Sequence, residues 1–143
     1  MAQNKFNIGK ILKAVKKSLN VDIPSILAKD TKQYFQENFK KQGFDSGTIE
    51  KWQPRKSKKW KHPILLKTGA LKRSIYIRER NSRRISLVSD LPYSRIHNDG
   101  LMGLAWGKYP FKMPKRQYMG HSPALAKMQL NKIISVLNDC WYK

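Results

Sequence analysis

Apolar residues recur with helical spacing at both ends of this chain and lose that spacing in the middle, a contrast that narrows the folds open to it. Ile8, Ile11, Leu12, Val15 and Leu19 recur at offsets of three and four while Lys10, Lys13 and Lys17 fall elsewhere, the pattern of an amphipathic helix over roughly residues 7–19. A second helix is predicted from about Pro24, a favourable first-turn residue, to Lys40 or Lys41. Its apolar set is Ile23, Ile26, Leu27, Tyr34, Phe35 and Phe39; Gly43 is placed to end it, and residues 20–23 are the expected joint. At the other end Ser122 reads as an N-cap with Pro123 at the first helical position, and Ala126, Leu130, Ile133, Ile134, Leu137 and Trp141 mark one face of a last helix, expected to cover a sheet.

The middle is punctuated by glycine and proline. Residues 43–63 have no period and read as a loop. Thr68 is placed before Gly69 to cap a short helical turn that presents Leu71 inward. Residues 75–78 and 85–88 alternate as strands around a polar turn, predicting a β-hairpin that Pro92 stops. Tyr93 and His97 are four apart, so both fit one face of a short turn that Gly100 ends. Leu101, Leu104, Trp106, Tyr109 and Phe111 fall in a segment too rich in glycine for a stable helix, which either folds back on its own core or docks as an arm on a neighbouring subunit. The expected fold is α+β: long N-terminal helices, a small antiparallel β-sheet with a hairpin, and a C-terminal helix packed on the sheet. A length of 143 residues suits one body, residues 23–143, preceded by an amphipathic helical extension, residues 1–22.

Charge sets the function classes. Thirty Lys and Arg against nine Asp and Glu give a formal net charge of +21, which points to a polyanion: nucleic acid first, an acidic protein surface next, an anionic membrane last. No stretch reaches the ~18 apolar residues needed to span a bilayer, so no membrane partner is expected. The N-terminal Met-Ala-Gln-Asn-Lys-Phe lacks the apolar core of a signal peptide. A single cysteine, Cys140, rules out an intrachain disulfide and a cysteine-rich metal site. The basic residues concentrate between Lys51 and Arg84, where Glu79 is the one acid. Trp52, Arg55, Lys56, Lys58, Lys59, Trp60, Lys61, Arg83 and Arg84 are the candidate contacts to nucleic acid or an acidic partner, the two indoles serving either to stack on bases or to pin the loop to the body.

Catalytic chemistry has little to stand on. There is no phosphate-binding glycine loop, HExxH, zinc-finger spacing or nucleophile elbow, and His62, His97 and His121 have no paired carboxylates nearby in sequence. A nuclease built on His97 and Asp99, with Asn98 between them, and a free nucleic-acid-binding monomer or dimer are the two rivals from other classes. No catalytic, cofactor-binding or metal-binding residue is expected.

Four pieces in order carry a resemblance: Trp52 with Pro54-Arg55; Ile64-Leu-Leu-Lys-Thr-Gly-Ala-Leu-Lys-Arg-Ser-Ile75; Tyr93-Ser-Arg-Ile-His-Asn-Asp-Gly100; and Met113-Pro-Lys-Arg-Gln-Tyr-Met-Gly-His-Ser122. Over roughly residues 50–137 this order resembles the phage virion morphogenesis family, the tail-completion, S-like group of tailed bacteriophages. Ser94 stands where alanine is usual, and Gln117-Tyr118-Met119 replaces Pro-Phe-Leu. The resemblance implies an α+β body and a structural, non-enzymatic role as a ring of six at the neck or tail of the virion, assembled in the host cytoplasm beside head–tail connector or tail proteins. It also implies structural duties for Thr68, Gly69, Leu71, Tyr93, His97, Gly100, Pro114, Arg116 and Gly120. Non-specific contact with DNA phosphates would give the charge a use.

Overall fold

The computed structural model describes residues 7–142; the first six residues of the expected extension lie outside the described residues. Helix α1, Ile8–Lys17, starts at Asn7, whose side chain accepts from the Lys10 amide at 3.1 Å. No joint separates it from helix α2, Ile23–Lys41: residues Ser18–Asp22 form a π-helical turn, so helical backbone runs on. Pro24 explains the wider turn, because it has no N–H to donate to the carbonyl four residues back. The end of α2 also departs from expectation. Gln42, not Gly43, caps it in the left-handed region at φ +53°, and its side chain clasps the backbone of Ile64, accepting from the amide and donating to the carbonyl.

Gly43 instead opens a strand inside the stretch expected to be loop. Strand β1, Gly43–Asp45, pairs antiparallel with β2, Ile49–Lys51, and a Cβ at Gly43 would lie 2.6 Å from the Glu50 carbonyl oxygen. Helix α3, Ala70–Arg73, is the predicted short turn: Thr68 Oγ accepts from the Ala70 amide, Gly69 adopts φ +69°, and Leu71 is buried. The predicted hairpin is present as β3, Tyr76–Arg80, and β4, Ile85–Val88. Helix α4, Ser94–Asp99, stops at Gly100, φ +70°, as its sequence indicated. Residues 101–112 form a further hairpin, β5, Met102–Ala105, with β6, Tyr109–Lys112. In place of one small sheet, the described residues hold three separate two-stranded ladders.

Helix α5, Pro123–Trp141, begins on Ser122 as expected, with Ser122 Oγ accepting from the Leu125 amide. Its closest neighbours are α2 and α1 rather than a ladder. Leu125, Gln129, Ile133 and Cys140 turn inward, so of the predicted face Ala126, Leu130, Ile134 and Trp141 remain exposed. The core gathers Phe35 and Phe39 of α2, Trp52, Leu71, Ile75, Tyr118 and Leu125. A hydroxyl node ties its layers together: Tyr34 Oη and Ser122 Oγ both donate to the Asp45 carbonyl, joining α2, β1 and the start of α5.

Candidate functional site

The fourth motif is the strut on which the others meet. Residues 114–119, outside any helix or strand, run between α4 and the body. The Arg116 amide donates to the His97 carbonyl at 2.8 Å, and the Tyr118 and Met119 amides both donate to Asn98 Oδ1 at 3.0 Å. Gly100 makes this approach possible, since a Cβ there would lie 2.8 Å from the Lys115 backbone nitrogen. On the other side Trp52 Nε1 donates to the Gln117 carbonyl at 2.7 Å, and Asn38 Nδ2 donates to the Tyr118 carbonyl at 3.0 Å. Pro114 lies at the base of the strut and Gly120 in the bend before Ser122. Asn38, Asn98 and Tyr118 are the polar organisers that sequence reasoning missed, because their partners lie 20 to 80 residues away.

The buried Arg116 sends Nε and Nη2 to the Gln53 carbonyl, at 3.2 and 3.1 Å. Burial first, and then the charge of Arg55, lowers its pKa from the ordinary arginine value. Arg55 is equally committed: it donates to the His62 and Pro63 carbonyls and meets His62 Nδ1 at 2.9 Å, closing the loop on itself. Arg55, Lys67, Thr68, Tyr93, His97 and Arg116 line one cavity of about 320 Å³, so three of the four motif pieces converge there and the fourth, through Arg116, forms its floor. No carboxylate lines it.

Tyr93 and His97 meet edge to face, ring centroids 6.1 Å apart, as their spacing predicted. His97 Nδ1 is shut off from solvent and has no hydrogen-bond partner. Burial, followed by the Arg116 charge, pushes the His97 pKa below its usual value, so the ring is neutral at pH 7. Asp99 turns to Arg95, 3.4 Å away, and to the Asn98 amide. Among the described residues no three His, Cys, Asp or Glu side chains group to hold a metal ion.

The basic stretch is divided by the fold. Trp52 is buried against Phe39, ring centroids 5.6 Å apart, so it anchors the body and is closed to a nucleic-acid base, which corrects its candidacy for contact. Trp60 is half exposed, with Lys67 Nζ 4.8 Å from its ring centroid and His62 beside it. Lys56, Lys58, Lys59 and Lys61 stand exposed around it. Arg83 and Arg84 belong to a different place, the tip of the β3–β4 hairpin, where they border a groove with Leu19 and Ile133, and Arg84 pairs with Glu79 at 3.3 Å.

The β5–β6 hairpin packs chiefly on itself. Phe111 covers Gly103, while Leu104, Trp106 and Tyr109 face outward and Leu101 is partly covered. The ladder leaves most of its apolar side chains in solvent rather than against the core of its own chain.

No helix among the described residues is long and apolar enough to cross a membrane. No curated protein and no solved structure gives a match. The sequence model of the phage virion morphogenesis family matches residues 8–138.

Proposed function

We propose that this chain, which belongs to the phage virion morphogenesis family and so to proteins that build the virion together with others, completes the tail or joins head to tail as a ring around the path of the DNA. The observation that carries the proposal is the exposed lysine group, Lys56, Lys58, Lys59 and Lys61, on a loop that Trp52 anchors to the body and Arg55 closes on itself. A ring lining needs cations presented by a fixed frame and no sequence reading, and phosphate neutralisation supplies attraction of that kind. The converging motif residues serve the frame. Asn98 and the His97 carbonyl hold the strut, Arg116 ties it to Gln53, Tyr93 packs on His97, and Asp99 is turned to Arg95; on this reading the protein acts without catalysing a reaction. Copies meet head to tail, as a closed ring requires, through the β5–β6 arm. Connector or tail proteins are its neighbours in the neck or tail.

Titration with two unrelated DNA duplexes at several salt concentrations tests the lysine role. Affinities should be alike and fall with a log–log slope of roughly −0.9 per phosphate neutralised. Changing the four lysines to Gln should weaken both complexes equally and flatten the slope by up to about four units. An unchanged slope would assign these lysines to an acidic protein surface. Strong preference for one duplex would favour a sequence-reading binder over a ring.

A further inference from the structure

A groove beside α2 brings two acids together on a surface otherwise dominated by cations. It runs between α2 and α5, encloses about 430 Å³, and is lined by Asp30, Tyr34 and Glu37 on one side and Met128, Asn131 and Lys132 on the other. Asp30 and Glu37 are seven apart, so they stand two turns along one helical face, roughly 10 Å from each other. Neither makes an ion pair among the described residues; Glu37 only accepts from the neighbouring Gln33 amide at 3.2 Å. In a chain with thirty cations and nine acids, the lining of this groove carries two acids against one cation, Lys132, with Tyr34 and Met128 between them.

The tip of the β5–β6 hairpin is its complement. Trp106 is 90% exposed, with Tyr109 in edge contact at a centroid distance of 6.5 Å and Lys108 between them in sequence. Trp106 sits at φ +51° and Gly107 at φ +72°, and the Lys108 amide donates to the Ala105 carbonyl, a tight turn that holds the indole outward. A bulky residue in the left-handed region is strained, and such strain persists where the position is used. No hairpin residue lines the groove within the same chain.

We infer that the hairpin tip of one copy seats in the α2–α5 groove of the next, with Trp106 and Tyr109 over Met128 and Tyr34 and Lys108 between Asp30 and Glu37. The pairing rests on the ring reading and names both halves of its interface. It joins two different surfaces of one chain, so it is heterologous and propagates around a ring. The indole is the anchor, since buried aromatic side chains dominate interface energies, and the rim charges set direction.

Sedimentation equilibrium of the full chain measures the interface. Trp106→Ala, a change at a solvent-facing position that should leave the fold and its circular dichroism intact, should weaken self-association by about tenfold or more. Lys108→Glu should weaken it too, and adding Asp30→Lys with Glu37→Lys should restore it, a rescue that general destabilisation cannot produce. With Cys140→Ser as background, a Lys108→Cys chain mixed with an Asn131→Cys chain should give a mixed disulfide dimer that Trp106→Ala suppresses. Self-association that survives all these changes, without the mixed disulfide, would overturn the groove pairing and leave the ring standing on another interface. A chain that stays monomeric at every concentration would overturn both.

Discussion

Tyr118 carries a phenol into the centre of the core, where a hydroxyl without a partner costs free energy. Its partner is Ser94, whose Oγ shares a hydrogen bond with Tyr118 Oη, and the Ser94 carbonyl lies 3.3 Å away as a second acceptor. Both positions are among those read in the sequence as departures from the pattern it resembles, a serine for alanine and a tyrosine for phenylalanine. The two hydroxyls suit each other: each gives the other a hydrogen-bond partner inside the core. Ser94→Ala and Tyr118→Phe should each lower unfolding free energy by about 1–1.5 kcal/mol. Removing both should cost less than the sum, with a coupling of about 1 kcal/mol in urea unfolding. Strict additivity would show that the hydroxyls do not depend on each other. The Tyr93–His97 contact was readable from four-residue spacing, whereas the structural duty of Arg116 came through the resemblance rather than from local spacing, because the carbonyl it binds belongs to Gln53, 63 residues earlier. Trp52 and Trp60 look alike in sequence, each among lysines and arginines. Only packing separates the buried anchor from the exposed ring.

Helices and turns with a local cause were legible as elements: α2, the α3 turn, the β3–β4 hairpin, the α4 stop at Gly100 and the Ser122 cap all follow from residues within a few positions. Elements set by distant packing were not. Periodicity identifies an apolar stripe on α5 but does not say which stripe the body covers, so Leu130, Ile134 and Trp141 lie outside while Gln129 points to Thr31 of α2 at 2.7 Å. Gly43 is the sharpest case. Its position after a helix suggested a left-handed stop, but Gln42 takes that conformation and the glycine is there because β2 passes close. We predict that Gly43→Ala destabilises by about 1–3 kcal/mol in urea unfolding, as overpacking against a fixed carbonyl does. A neutral substitution would mean that β1 and β2 stand farther apart than the ladder requires.

At the scale of the molecule the charge works against assembly as well as for DNA. Two copies that each carry +21 repel as they approach, and that repulsion reaches ~30 Å at 0.01 M salt but only ~3 Å at 1 M. The proposed contact between copies is mainly apolar, and its one rim charge group contributes no more than about 1 kcal/mol. Screening therefore removes more repulsion between whole chains than attraction at the interface. Self-association of the free protein should strengthen as salt rises from about 0.05 to 0.5 M, while DNA affinity falls over the same range. Short duplex DNA added at low salt should replace the effect of salt, because bound phosphates neutralise the lysines that keep copies apart. Sedimentation velocity with and without a duplex measures both arms. Association that weakens steadily as salt is added would mean that charge pairs rather than the Trp106 tip hold the copies together.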